Sequence, residues 1–338
     1  MSTLFRRLWS RIRTWLARVV HRAPAPGRFE TGSRFSVHGV VATAPLVWPS
    51  RDYLVYVPQN RPRFRRAPLL VLCHGCKQTP EELAQGTRIA AFADRTGCVV
   101  LLPRQKEHSN PWRCWNWFDP RTMAGKGEAA IVAAQIRQVR RRYRIDRTRV
   151  LAAGMSAGGA LAAILGVRYP DLVRAVAVHS GLACGAATSP LAALEAMKRG
   201  PDRDVEAIAG GVRERAAPRR VRVPLLAVQG DADRVVAPRN AIALVRQYLR
   251  LNGHPAVMAE PDPAKLPAPD ALRTETAADG RSFTVHEWRR DGRLVARHVA
   301  VAGLGHAWSG GDPALAWNDA APPDATALVG DFFADALS

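Results

Sequence analysis

Lysine is scarce in this 338-residue chain: only Lys77, Lys106, Lys126, Lys198 and Lys265 occur, within a combined Lys and Arg total of 49. Asp and Glu together number only 29, so the net charge is +20 and arginine carries nearly all of it. No run of about 18 uncharged apolar residues occurs, which excludes a membrane-spanning helix. Aromatic residues make up 7%, and the 26 glycines and 25 prolines follow no period, which excludes collagen-like and low-complexity architectures. Nor is there self-similarity at 20–50 residues of the kind solenoids require. Cysteine is limited to five residues, and Cys73-His74-Gly75-Cys76 has no second CxxC to complete a zinc site.

What is present is a globular composition, 47% hydrophobic and 23% charged. The positive field would attract polyanions, anionic membranes or acidic surfaces. No nucleic-acid recognition motif accompanies it, and arginine enrichment also follows from codon usage alone, so nucleic acid is disfavoured as the partner. Cys73 and Cys98 sit in apolar runs and read as buried thiols.

The first 27 residues form a unit apart. Leu4, Leu8, Ile12, Trp15, Leu16 and Val19 recur at helical spacing, with Arg6, Arg7, Arg11, Arg13 and Arg18 between them. Those arginines interrupt the apolar core that a secretory signal needs. Two readings stand: a helix docked on the body, or an interfacial helix in which residues 1–22 bind an anionic membrane or granule surface. Pro24 and Pro26 end this helix and linker, and a single domain is expected over 28–338.

Beyond it, apolar strands alternate with helical patterns. Strands are expected at 54–57, 68–73, 98–102, 149–153, 175–178 and 225–228, which argues a mostly parallel sheet covered on both faces. Thr79-Pro80-Glu81-Glu82 reads as a capping box opening a helix that runs to Arg95, with Gly97 beyond its end. A second helix is expected from Gly127 to Tyr143, and Asp291-Gly292 marks a hairpin between Phe283–Trp288 and Leu294–Val301. Residues 255–281 read as a polar excursion.

Gly154-Met155-Ser156-Ala157-Gly158 fits G-x-S-x-G between an apolar strand and an apolar helix. That context suits a sharp turn on which Ser156 protrudes, flanked by small residues that allow close backbone approach. A serine nucleophile needs a histidine base oriented by a carboxylate, in the chain order Ser, Asp or Glu, His. Asp231 and Asp233 both follow the strand at 225–228. Of the later histidines, His286 and His298 fall within strand patterns and His254 within a turn, which leaves His306 as the base. Two backbone N–H groups must stabilise the oxyanion; Ala157 supplies one, and Cys76, in the loop after an early strand, is the candidate for the other. His74 is assigned a structural role in that loop. The aromatic stretch from Pro111 to Phe118 is either a wall of the substrate cleft, with Trp115 and Trp117 facing the substrate, or a loop tucked against the core. Trp308, two residues past His306, is a third candidate wall residue.

The stretches LCHGCKQTPEELAQGTRIAAFADRTGCVVLLPRQ, NPWRCWNWFDP, RVLAAGMSAGGALAAILGVRYPDLVRAVAVHSGL, QGDADRVVAPRNA and GLGHAWSGG, in that order over roughly 51–311, resemble the poly(3-hydroxybutyrate) depolymerase family of esterases. The resemblance implies an α/β-hydrolase fold, with Ser156 as nucleophile, Asp233 rather than Asp231 as orienting acid and His306 as base. It leaves out the N-terminal 30 residues. Within it, Cys76 and Cys114 are either two thiols or a disulfide tying the aromatic loop to the oxyanion loop in an oxidising compartment.

The expected function is hydrolysis of carboxylic esters through an acyl-enzyme, without metal or cofactor. Poly(3-hydroxybutyrate) or its oligomers come first as substrate, by the resemblance, with feruloyl or acetylxylan esters second. A non-catalytic protein coating polyester granules or membranes through the N-terminal helix is the competing class, and the intact Ser/Asp/His set argues against it. The resemblance implies an extracellular location, whereas the N-terminus leaves cytoplasmic or granule-associated placement open.

Overall fold

A computed structural model describes residues 26–36, 49–61, 65–216, 222–277 and 279–337. The amphipathic reading of residues 1–22 therefore lies outside the described residues.

Ten strands form one sheet: β1 (Arg28–Phe35), β2 (Ser50–Val57), β3 (Ala67–Cys73), β4 (Val99–Pro103), β5 (Ile145–Met155), β6 (Ala175–His179), β7 (Leu225–Gly230), β8 (Ala271–Thr276), β9 (Ser282–Arg290) and β10 (Arg293–Val301). Their spatial order is β1-β2-β4-β3-β5-β6-β7-β10-β9-β8. The six central strands run parallel; β1 and β2 at one end and β9 and β8 at the other are antiparallel. β3 and β4 are buried along their whole length, as expected of strands covered on both faces.

Helices α1 (Pro80–Gly86), α2 (Ile89–Thr96), α3 (Pro120–Met123), α4 (Gly127–Arg142), α5 (Ala157–Arg168), α6 (Pro190–Arg199), α7 (Val205–Ala216), α8 (Arg239–Asn252), α9 (Ala256–Ala259) and α10 (Ala325–Ala336) complete the architecture. They bury two apolar layers. One joins Ile136 of α4, Leu161 of α5 and Tyr248 of α8 to one face of the sheet. The other joins Phe92 of α2 and Phe332 of α10 to the opposite face. A two-residue pair, β11 (Trp308–Ser309) with β12 (Asn318–Asp319), closes the C-terminal region.

The capping box forms as expected: Thr79 accepts from the Glu82 N–H, and Glu82 reaches back to the Thr79 N–H. The helix it opens is not continuous, however. It breaks at Thr87 and Arg88, the latter with φ 53°. Tertiary contacts account for the break, because the Gly86 carbonyl accepts from Asp312 N–H and the Thr87 carbonyl from the Thr326 hydroxyl. The hairpin turn at Asp291 and Gly292 forms, with φ 53° and 73°. Within the polar excursion the structure adds β8, an exposed edge strand on β9. Cys73, Cys98 and Cys184 are buried free thiols.

Candidate active site

The carboxyl ends of the parallel strands gather the chemistry, as open α/β sheets do. β5 ends at Met155, and Ser156 adopts φ 56°, ψ −123° before α5 begins. A serine holds this left-handed conformation only where its surroundings enforce it. Here they do: a Cβ at Gly158 would lie 2.2 Å from the Cys73 carbonyl oxygen, and one at Gly154 would lie 2.5 Å from the Gly158 backbone. Strand, turn and helix are thus pressed together, and the Ser156 N–H is fixed by the His179 carbonyl at 3.0 Å. Ser156 and His306 line the same cavity, of about 960 Å³.

His306 stands in the loop beyond β10, and its Nδ1 lies 2.8 Å from Asp233 Oδ2. An ionised carboxylate only accepts, so Nδ1 carries a proton, and in the neutral ring Nε2 holds the lone pair. Asp233, in the loop after β7, also accepts from the N–H groups of Val235 and Val236, each at 2.9 Å, and from Gln229 Nε2. Its burial opposes ionisation, but the His306 contact and the two backbone donors outweigh that and hold the carboxyl below its ordinary range. Asp231 instead accepts from the Gly303 N–H at 2.7 Å and shapes the turn.

The loop after β3 faces Ser156 from the other side; a Cβ on Gly75 would sit 3.5 Å from the Ser156 Cβ. His74 is fully buried, and its Nε2 accepts the Gln105 N–H at 3.1 Å. The ring proton is therefore on Nδ1, which donates to the Gly75 carbonyl at 2.8 Å. In a planar trans peptide the N–H points opposite to the carbonyl. With the Gly75 carbonyl held by His74, the Cys76 N–H is turned away from that ring. The flanking amides are committed elsewhere, Gly75 N–H to Gln78 and Lys77 N–H to the Trp112 carbonyl. Burial pushes the His74 pKa down to about 4, so the ring stays neutral. Ala157 is the first residue of α5, where an N–H has no acceptor within the helix.

Cys76 and Cys114 form a disulfide that joins this loop to the aromatic stretch. Behind both lies a buried polar cluster. Glu128, at the start of α4, accepts from the Asn116 N–H at 2.7 Å and faces Arg51, which donates to Gln105 at 2.9 Å.

The tryptophans do not divide as the sequence suggests. Trp117 lines the cavity, edge-on to Phe118. Trp115 does not: it is wholly buried, and its Nε1–H donates to the His74 carbonyl at 3.1 Å, bracing the loop from beneath. Trp308 is also buried, stacked on His179 with its Nε1–H on the Thr326 hydroxyl. In their place Trp112 and Trp317, 65% and 37% exposed, stand on the cavity rim with Leu194 and Val235. Trp317 also meets His306 edge-on at 6.0 Å.

A family model described as esterase PHB depolymerase matches residues 51–260. Among curated relatives, a poly(3-hydroxyalkanoate) depolymerase C of Paucimonas lemoignei is 29% identical over 204 residues, 59% of this chain and 48% of that protein. The chain thus spans about half the length of that relative. A feruloyl esterase B of Neurospora crassa is 28% identical over 59% of this chain and 69% of its own length. Among solved structures, an acetyl xylan esterase from Aspergillus awamori superposes with a TM-score of 0.64 at 18% identity, covering 82% of this chain and 94% of that one. At that identity the likeness speaks to the fold alone, and the fold is the α/β-hydrolase one that the sequence leads one to expect.

Proposed function

This chain belongs to the PHB depolymerase family of esterases, and we propose that it cleaves carboxylic esters at Ser156 through an acyl-enzyme. The observation that carries this reading is His306, hydrogen-bonded to Asp233, lining one cavity with a serine on a strained strand-to-helix turn. His306 Nε2 takes the Ser156 hydroxyl proton as Oγ attacks the ester carbonyl. The tetrahedral oxyanion lies against the N–H groups of Cys76 and Ala157. Collapse breaks the bond to the alcohol, which leaves with the proton held on His306. Water then repeats the sequence on the acyl-enzyme and returns the free carboxylic acid. Asp233 keeps the imidazole oriented and stabilises its charged form.

For the substrate we propose polyhydroxyalkanoate, as polymer or oligomer. The support is the rim: Trp112, Leu194, Val235 and Trp317 expose apolar surface around the cavity, suited to the methylene and methyl groups of an aliphatic polyester. Feruloyl esters are the second reading, favoured by the fuller coverage of the feruloyl esterase relative. Release of acid from poly(3-hydroxybutyrate) film, 3-hydroxybutyrate oligomers and feruloylated xylan by one preparation tests the choice. Oligomer and film hydrolysis well above xylan hydrolysis supports the proposal; preference for the feruloyl ester overturns it.

A further inference from the structure

The edge of the sheet opposite the cavity is lined with arginine. Arg66 precedes β3, Arg144 precedes β5, Arg174 precedes β6, Arg222 precedes β7, and Arg293 opens β10. These five strands are consecutive in the sheet, and at about 4.8 Å per strand the row extends roughly 20 Å. Between β5 and β3 the ladder is interrupted from Asp146 to Arg149, which leaves Arg147 and Arg149 exposed beside the row. The charges are close enough to oppose one another. After burial, the neighbours that lower the pKa of Arg140 are Arg147, Arg137, Arg141 and Arg66, and those that lower Arg222 are Arg293 and Arg174. Asp146, which Arg149 and Arg66 attract, offsets only part of this charge, and a polyanion would relieve the rest.

The chain also enters the fold at this edge. Arg28 pairs with Val57 at the end of β2, and β2 runs antiparallel to β4, whose start lies there. Phe29, 48% exposed, stands at the same place. The segment attached there carries, by sequence, an apolar stripe from Leu4 to Val19 interleaved with arginines.

We infer that this edge is a docking surface for an anionic lipid bilayer. Charge from the arginine row and apolar anchorage from the attached segment and Phe29 are the two components of interfacial binding. Single-stranded nucleic acid fits less well, because among the described residues this edge exposes one aromatic ring, Phe29, and so no array of faces for stacked bases. Docking by this edge turns the cavity, at the far ends of the same strands, toward solution.

The test is co-sedimentation of the full chain with vesicles of phosphatidylcholine containing about 30% phosphatidylglycerol, at low and physiological salt. One variant replaces Arg66, Arg144, Arg147 and Arg293 by Gln; a control replaces Arg88, Arg104, Arg199 and Arg239 by Gln, removing the same charge from the cavity side of the sheet. At ~1 kcal/mol per arginine, each edge substitution lowers partitioning about fivefold, so the edge variant binds several hundredfold more weakly while the control loses little. Hydrolysis of a small soluble ester reports folding; should the edge variant lose it, Arg66→Gln with Arg147→Gln carries the test, at about thirtyfold. Saturating vesicles should leave wild-type hydrolysis of that ester unchanged, since the cavity faces away. Equal losses in the two variants, no loss in either, inhibition by vesicles, or binding of duplex DNA in preference to vesicles at physiological salt would each overturn the inference.

Discussion

His74 touches no substrate in this arrangement, yet its replacement should damage catalysis far more than substrate binding. Its Nδ1–H holds the Gly75 carbonyl at 2.8 Å, and through the planar peptide that contact aims the Cys76 N–H. His74→Leu removes the contact and frees the peptide to rotate. Loss of one oxyanion donor costs about 10²–10³ in kcat, and KM should change little because the ground-state ester makes weaker use of the donor. Leu also strands the Gln105 N–H, now 3.1 Å from His74 Nε2, at a stability cost of about 1–3 kcal/mol. His74→Asn separates these effects, since its amide nitrogen falls where Nδ1 stood. Asn should restore much of kcat while remaining as destabilised as Leu. The assay is steady-state hydrolysis of a p-nitrophenyl ester well below the melting temperature, alongside the affinity of a boronic acid that mimics the tetrahedral adduct. That affinity should fall in step with kcat/KM. Wild-type kcat in His74→Leu, or an Asn variant as slow as Leu, refutes the reasoning.

Other consequences follow from the same contacts. Asp233→Asn should lose several orders of magnitude in kcat, because an amide can present a donor to Nδ1 and favour the wrong tautomer, while Asp231→Asn keeps most activity; the reverse order in the same ester assay would overturn the assignment. Trp112→Ala and Trp117→Ala should impair oligomer or film hydrolysis more than p-nitrophenyl acetate hydrolysis, and equal losses on both would remove Trp112 and Trp117 from the substrate's path. Burial lowers the pKa of His74 to about 4 and those of His179 and His298 to about 3. Below pH 6.5 the unfolded chain binds protons at these sites that the folded chain refuses, so stability is full above that pH and declines toward pH 4, by about 1 kcal/mol per unit for each histidine. A melting temperature that stays constant from pH 7 to pH 5 would contradict this.

Much of the site is legible in the sequence because its parts are local. G-x-S-x-G marks the turn since only small residues tolerate the approach of Gly158 to the Cys73 carbonyl. His306 stands out by chain order. What escapes are features set by distant contacts. Trp115 and Trp117 are two residues apart in one aromatic run, yet Trp115 turns under the loop to meet the His74 carbonyl while Trp117 lines the cavity. Trp317 lies in an aperiodic stretch that offers no sign of its approach to His306. The helix from Thr79 looks continuous because its interruption depends on Asp312 and Thr326, more than 220 residues away in sequence. The strand at 271–276 is exposed at every position and so shows no apolar alternation.

Covalent labelling tests the central claim most directly. Incubation with a fluorophosphonate, followed by intact mass and peptide mapping, should show one adduct per chain, located on Ser156. Ser156→Ala, which removes only a hydroxyl from the turn, should fold with an unchanged melting temperature, take up no label and lose at least a thousandfold in ester turnover. A label mapped to another residue, or a Ser156→Ala variant that keeps more than a few per cent of wild-type turnover, would contradict the account.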